Sequence, residues 1–453
     1  MAKTTFTTKI GLIAATVGSA VGLGNIWRFP AETQANGGAA FLIVYVICLL
    51  LLGIPVMLAE FSLGRGSKTD AVSAFRKLRP GSKWWIGGAL AVLASYLILC
   101  FYMVVAGWTF EYLWQSITGD LYSGAAAGGG EAFFSSKMQD YICGDSGPLI
   151  NTFVMIVINL LVLLGGVQKG IERLSNILMP LLFILLLMFA GVALSLPGAG
   201  EGVKFFLSPD FSKITPAVVV NALGQAFFSL SLGMGILVTY ASYFPKKTNL
   251  TKTAVTVSLL DLLAAVMMGM IIFPAVASFG MQDSLLEGST LVFVTLPQIF
   301  CQMGAPQLWS VLFFLLLLVA ALTSTISIAE VSVAWIQDFF KKSRVTACLI
   351  VILPLFLFSS ICSLSLGRLS NIQIAGLTIF DALDTFATNI LLPLVSIITC
   401  LFMSWAAKKG FFRAQLTNGG KLRQPMAGTV IFVVKYLAPL LIFLILLAFF
   451  VKF

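Results

Sequence analysis

Eleven runs of apolar residues decide what this chain can fold into. They centre near residues 10–34, 38–62, 86–117, 149–166, 172–196, 215–243, 251–279, 306–337, 345–363, 374–406 and 427–451. Crossing about 30 Å of hydrocarbon takes about 20 apolar residues in a helix. Lipid gives the backbone no hydrogen-bond partners, so each run must satisfy its own N–H and C=O groups by being helical. Hydrophobic residues make up 59% of the 453 and charged residues only 10%, against about 25% charged in soluble domains. No soluble core could hide so much apolar surface, and the reading is an all-α integral membrane protein of 11 transmembrane helices. The first run is not a cleavable leader: it outlasts one and ends in Arg28-Phe29-Pro30 with no small-residue cleavage pattern.

A net charge of +10 would suggest a nucleic-acid partner if it were clustered on a surface. Instead most Lys and Arg fall on one side of the spans: Lys3, the loop from Arg65 to Lys83, Lys169 and Arg173, Lys246 to Lys252, Lys341 to Arg344, and Lys408 to Arg423. The other side holds Lys137, Lys204, Lys213, Arg368 and Lys452. Basic loops face the cytoplasm, which places the N-terminus inside and, after an odd number of crossings, the C-terminus outside. The charge is a topology signal, and no nucleic acid is expected. The outer loop 118–148 carries no glycosylation sequon, in keeping with a bacterial cytoplasmic membrane.

The chemistry open to the chain is narrow. It has no histidine, no CxxC pair and seven cysteines, mostly inside spans where they pack as small apolar residues. Cys143 and Cys301 both fall in outer loops, which leaves a disulfide between them open. No nucleophile–base pair is visible, so an enzyme is not expected.

Two runs are interrupted. The first reads Gly18-Ser19-Ala20-Val21-Gly22-Leu23-Gly24-Asn25 and the sixth Ser229-Leu230-Ser231-Leu232-Gly233-Met234-Gly235. Each glycine costs a helix about 1 kcal/mol relative to alanine, and serines compete for its backbone bonds. Five crossings separate the breaks, so the two helices run in opposite directions. Matching interruptions in oppositely oriented halves point to an inverted repeat with a binding site at the breaks. Residues 1–196 and 215–406 would be the two five-span repeats and 427–451 an additional helix. Half-helix N-termini suit a carboxylate, and half-helix C-termini suit a dehydrated cation.

The stretches "GSAVGLGNIWRFP", "NGGAAF", "GQAFFSLSLGMG", "TYASY", "AALTSTIS" and "FDALD" resemble, in order, the motifs of bacterial members of the neurotransmitter:sodium symporter family. That resemblance implies sodium-coupled import of amino acids by alternating access, with two sodium sites. The first would use the Ala20 carbonyl, Asn25, Ser229, Asp261 and the substrate carboxylate; the second Gly18, Val21, Ala320, Thr323 and Ser324. Hard oxygen ligands of this kind suit a hard cation. Asp261 stands where relatives commonly have Asn. Tyr45, Gln225 and Ser229 match three positions of the family's chloride site, but Ala265 replaces a serine. Chloride independence is therefore expected, with Asp261 supplying the negative charge.

By the same resemblance the substrate pocket comprises Ala20, Gly22, Gly24, Ile98, Tyr102, Phe228, Ser229, Ser231, Met234, Ser324 and Ile328. Gly22 lies where amine carriers place an aspartate, and Tyr102 matches the tyrosine that holds a carboxylate. Met234 replaces an aromatic residue of some relatives, and methionine's adaptability points to hydrophobic or aromatic amino acids. Arg28 with Asp384, beside Asp381 and under Phe228, would form an outer gate. Lys3, Phe6, Tyr243 and Asp338 would form an inner one. Glu60 matches an acid that pins the unwound segments, its other reading being a solvated helix end. Gly170 and Pro180 resemble a motif that lets span 5 unwind. The alternatives are a sodium-coupled carrier of a small osmolyte or amine, and a non-coupled pore or binding protein, which would want a continuous polar path.

Overall fold

The computed structural model describes residues 4–125, 130–281 and 288–451. All eleven apolar runs are helical. Nine are continuous: span 2, Ala39–Ser67; span 3, Trp85–Thr118; span 4, Ser146–Leu164; span 5, Val167–Leu194; span 7, Leu250–Ser278; span 8, Pro306–Phe340; span 9, Arg344–Leu364; span 10, Ile379–Ala406; and span 11, Ala427–Phe450. Span 1 is a bent pair, Lys9–Ala20 and Gly24–Ala35, with 54° between its halves. Span 6 is two short helices, Pro216–Ser229 and Ile236–Ser242. The fold is therefore the expected one, with helices 1 and 6 discontinuous.

The local chemistry accounts for both breaks. In span 1, Thr16 and Ser19 return their hydroxyls to the carbonyls of Leu12 and Thr16, each at 2.7 Å. Val21 then turns extended at φ −72°, ψ 106°. In span 6 the chain passes through the left-handed region at Ser231, Gly233 and Gly235. Gly233 is obligatory twice over. Its φ of +79° disfavours a side chain, and a Cβ there would collide with the Leu392 carbonyl oxygen.

Span 5 opens on a wide π turn, Val167–Glu172, behind Gly166 at φ +73°, and carries Pro180 inside its helix. Close packing elsewhere depends on missing side chains. Gly64 of span 2 lies against the Val238 carbonyl oxygen of span 6, so the two backbones meet directly. Span 11 is the most peripheral, with only 22% of its apolar window buried. At the tip before span 10, Gln373–Ile374 pairs with Leu377–Thr378 across Ala375-Gly376, both at positive φ. The thiols of Cys143 and Cys301 are not joined; Cys143 instead donates to the Leu366 carbonyl at 3.3 Å.

Gly64→Ala forces a Cβ onto a backbone oxygen that cannot swing aside. It should cost about 1–3 kcal/mol, read as a lower thermal unfolding temperature in detergent. Gly224→Ala, in open space within span 6, should leave that temperature unchanged.

Candidate functional site

The two breaks meet, and side chains of spans 2, 3 and 6 satisfy the backbone that helix disruption leaves open. Ser231 Oγ donates to the Ser19 carbonyl at 2.8 Å, and Gln225 Nε2 to the Gly24 carbonyl at 3.1 Å. The Leu23 N–H donates to the Tyr102 hydroxyl at 3.2 Å. The Gly233 N–H donates to Glu60 Oε1 at 2.8 Å. Glu60 is 1% exposed, so the solvated-end reading of this acid is corrected.

A fully buried polar cluster lies beside these contacts. Asn25 Nδ2 reaches Asp261 Oδ1 at 2.9 Å and Ser229 Oγ at 3.1 Å. Ser229 Oγ donates to Asp261 Oδ2 at 2.7 Å, and Tyr45 donates to Ser229 at 3.3 Å. Asn25 Oδ1 accepts from the Gly22 N–H at 3.2 Å, which fixes the orientation of its amide. Asp261 thus stands on span 7 among neutral donors from spans 1 and 6, and Ala20 is buried nearby in sequence at the end of the first half-helix. One carboxylate and a group of amide, hydroxyl and carbonyl oxygens is a donor set for a hard monovalent cation. Among the described residues no group of three His, Cys, Asp or Glu gathers as for a transition metal.

The second set also comes together. A Cβ on Gly18 would lie 3.2 Å from Thr323 Cβ. Thr323 Oγ1 bonds back to the Val319 and Ala320 carbonyls at 3.0 and 3.1 Å, and Val21 and Ser324 are buried. A Cβ on Gly22 would sit 2.5 Å from Ser324 Oγ and 3.1 Å from the Tyr102 hydroxyl, and one on Gly24 would lie 2.9 Å from the Phe228 ring. Gly22, Tyr102 and Ser324 therefore line one small space. Ile98, Ser231, Met234 and Ile328 are buried, and Phe228 is half-buried.

At the end of this region away from the basic face, the expected ion pair is not in contact. Arg28 forms no ion pair with Asp384 or Asp381. It lies 3.9 Å from Glu32, one turn along its own helix, and 4.6 Å over the Phe228 ring. The reason is proximity: an i,i+4 carboxylate and an aromatic face are already within reach of the guanidinium. Asp381 instead accepts from its own helix cap, Thr378, at 2.7 Å.

At the basic face, Phe6 is buried against Tyr240, Tyr243 and Phe244, with ring centroids 6.0, 6.2 and 6.3 Å away. Its N–H donates to the Tyr243 carbonyl at 3.1 Å. Lys3 lies outside the described residues. The Tyr243 hydroxyl donates to Glu330 at 2.7 Å, while Asp338 accepts the Asp70 N–H at 2.8 Å. Glu330 was not expected. It is fully buried on span 8 and held by Arg344 in two bonds of 2.9 and 2.6 Å. A lone acid inside an apolar run was the available signal. A cavity of about 940 Å³, lined by Thr4, Gln168, Tyr243, Asp338 and Arg344 among others, opens at this face. Gly170 is pressed against the Val162 carbonyl where span 5 begins.

The profile of the sodium:neurotransmitter symporter family matches residues 3–128 and 131–453. The chain belongs to this family. It is 38% identical over 439 residues to the uncharacterized sodium-dependent transporter YhdH of Bacillus subtilis, covering 97% of this chain and 96% of that one. It is 27% identical to the sodium-dependent serotonin transporter of Drosophila melanogaster, covering 88% of this chain and 68% of that one. The crystal structure of MhsT in complex with L-phenylalanine superposes with a TM-score of 0.89 at 41% identity, over 98% of this chain and 99% of that one. As a symporter-family member the protein is a multi-pass membrane transporter and not an enzyme.

Glu330→Ala leaves the partly buried Arg344 guanidinium without its countercharge. It should destabilise the symporter by about 1.5–3 kcal/mol, with part of the loss recovered when Arg344→Leu is added. Denaturation of the single and double variants in detergent measures both.

Proposed function

We propose that this family member imports amino acids, hydrophobic or aromatic ones by preference, with sodium as the co-transported ion. One observation carries the reading. The break in span 1 brings the Leu23 N–H to the Tyr102 hydroxyl, and Gly22 faces that hydroxyl and Ser324 with no side chain of its own. The substrate must then bring its own carboxylate. A carboxylate there would be held by the helix break and the Tyr102 hydroxyl. It would also complete the oxygen set of Ala20, Asn25, Ser229 and Asp261. Substrate and ion thereby depend on each other for binding, which is what coupling requires.

The second ion would use Gly18, Val21, Ala320, Thr323 and Ser324. The side-chain end of the pocket would be shaped by Ile98, Phe228, Ser231, Met234 and Ile328. The relation to MhsT, whose structure holds L-phenylalanine, supports an amino acid with a bulky apolar side chain. Asp261 provides the negative charge that relatives of this family obtain from chloride, and transport is chloride-independent. The basic face is the cytoplasmic one, in a bacterial cytoplasmic membrane, with the N-terminus inside and the C-terminus outside. Residues 1–196 and 215–406 form the two repeats and 427–451 the addition. Spans 1, 2, 6 and 7 move as a group against spans 3, 4, 5, 8, 9 and 10. Arg28, Phe228, Asp381 and Asp384 flank the outer exit. Lys3, Phe6, Tyr243 and Asp338 flank the inner one, and Gly170 and Pro180 permit span 5 to unwind.

Thermal stabilisation of the purified protein across the twenty amino acids, with sodium or with choline, tests this reading. Binding to the native state raises apparent stability by mass action, about 2.7 kcal/mol at a hundred-fold excess over Kd. The shift should be selective, sodium-dependent and unaltered when gluconate replaces chloride. Asn25→Ala should abolish it with the fold intact. Equal shifts in choline would overturn the coupling, and a shift with amines or osmolytes alone would reassign the substrate.

A further inference from the structure

Glu172 ends the π turn that opens span 5 and is 2% exposed, yet no role has been given to it above. Its carboxylate accepts four hydrogen bonds from the segment entering span 1. Thr7 N–H reaches Oε2 at 2.9 Å and Thr7 Oγ1 reaches Oε1 at 2.6 Å. The N–H and Oγ1 of Thr8 both reach Oε1 at 3.0 Å. Thr8 is also the N-cap of the helix Lys9–Ala20, accepting from the Gly11 N–H at 2.9 Å. The charge therefore sits on the positive end of a twelve-residue helix. Gly11 is the vacancy that admits it, since a Cβ there would collide with the Glu172 carboxylate. Among the described residues Glu172 forms no ion pair. A second stitch joins the same two segments, Gln168 Nε2 donating to the Thr5 carbonyl at 2.7 Å.

What sets Glu172 apart is where its partners lie. Asp261 and Glu60 bond to Asn25, Ser229 and Gly233, all within spans 1, 2, 6 and 7. Glu330 keeps Arg344 beside it, within spans 8 and 9. Glu172 alone of these four buried acids takes every hydrogen bond described for it across the divide between the two groups. Those bonds run from the wide turn in which Gly170 touches the preceding span to the half-helix that carries Phe6.

We propose that Glu172 is a positioning residue for transport: it latches the N-terminal half of span 1 shut and ties its release to rearrangement of the start of span 5. The inference rests on the division into moving groups proposed above. While the turn Val167–Glu172 is folded as seen, the carboxylate caps the half-helix and Phe6 stays over Tyr240. When the turn unwinds, the carboxylate is withdrawn and four donors lose their acceptor together. The half-helix, with Phe6, is then free to lift from the cytoplasmic face. The two events are linked, because parting them takes four donors from the carboxylate and a negative charge from the helix end.

Ser327 reports on this event. It is 2% exposed, its Oγ accepting at 2.8 Å from Tyr240, whose ring packs edge-on against Phe6. Full-length Ser327→Cys protein in inside-out vesicles would be reacted with an impermeant maleimide, without added solute, in sodium and in choline. The untouched parent chain corrects for its native cysteines. Adding Glu172→Gln should raise the labelling rate about ten-fold, corresponding to about 1.4 kcal/mol of lost closure. Glu172→Asp should restore part of the protection, and Thr7→Val, which keeps the carboxylate, should raise labelling by a smaller factor. Labelling unchanged in Glu172→Gln protein that elutes as a single species would overturn the latch. If that variant does not fold, unchanged labelling in Thr7→Val does the same. Should sodium leave the parent rate untouched while Glu172→Gln still raises it, the sodium reading fails and the latch survives.

Discussion

The rest of this structure depends on breaking two helices inside a medium that offers no replacement hydrogen bonds. Each break frees N–H and C=O groups that would cost several kcal/mol if left bare in lipid. The chain answers by placing the breaks against one another and against side chains that cannot wander. Ser231 covers the Ser19 carbonyl, Gln225 the Gly24 carbonyl, Glu60 the Gly233 N–H and Tyr102 the Leu23 N–H. Four residues on three spans are thus committed to holding an irregular backbone in one shape. The same commitment creates the site, because groups satisfied by single, exchangeable partners can be offered to a ligand. Tyr102 in particular bonds the break through a hydroxyl that retains capacity for a second partner.

Charge inside the spans follows a related rule. Asp261 is surrounded by Asn25, Ser229 and Tyr45, and Glu60 meets a backbone N–H. Neither is given a basic residue. An arginine there would form a self-contained pair, and a self-contained pair has no reason to bind a cation. Neutral donors hold the carboxylate in place and leave its field uncancelled, which suits a site for an ion that must arrive and leave. Glu330 has the opposite treatment, a two-bond pairing with Arg344, and it stands away from the breaks.

Much of this was legible in the sequence, for physical reasons that also explain what was not. Span 2 was expected at 38–62 and runs Ala39–Ser67; span 8 was expected at 306–337 and runs Pro306–Phe340. Hydrophobic length is a strong signal because lipid enforces it residue by residue. The breaks were legible through Gly22, Gly24, Gly233 and Gly235, since glycines clustered within seven positions have few other uses in a span. Partner choice was not legible. The family's motifs match Arg28 with Asp384, over three hundred positions away; only geometry shows Glu32, one turn on, to be the nearer carboxylate, with Asp384 still within the field of Arg28. Glu172 and Thr7 are 165 residues apart, and neither the apolar pattern nor the family's motifs mark that contact.

The two ends of the site are closed by different physics, and this bears on how each can open. Toward the end opposite the basic face, Arg28 rests on Glu32 and the Phe228 ring while partly exposed to solvent. Contacts of that kind are worth about 0.3–1 kcal/mol each, so thermal motion breaks them readily. Toward the basic face, the aromatic packing of Phe6 is reinforced by Tyr243 donating to Glu330. Opening there removes a phenol from the acid but leaves Arg344 in place, so no buried charge is orphaned. Among the described residues that contact is made by a phenyl ring and a phenol hydroxyl. At Glu172 the arrangement is reversed: the charge stands on span 5, and Thr7 and Thr8, which lead into the half-helix of span 1, supply its donors. Opening at that point must either strand a carboxylate or carry it into water. A turn already wide, glycine-jointed at Gly166 and Gly170 and set beside a cavity of about 940 Å³ lined by Gln168 and Lys169 provides the second route. On the proposed latch, the irregular start of span 5 is where the cost of opening the basic face is decided.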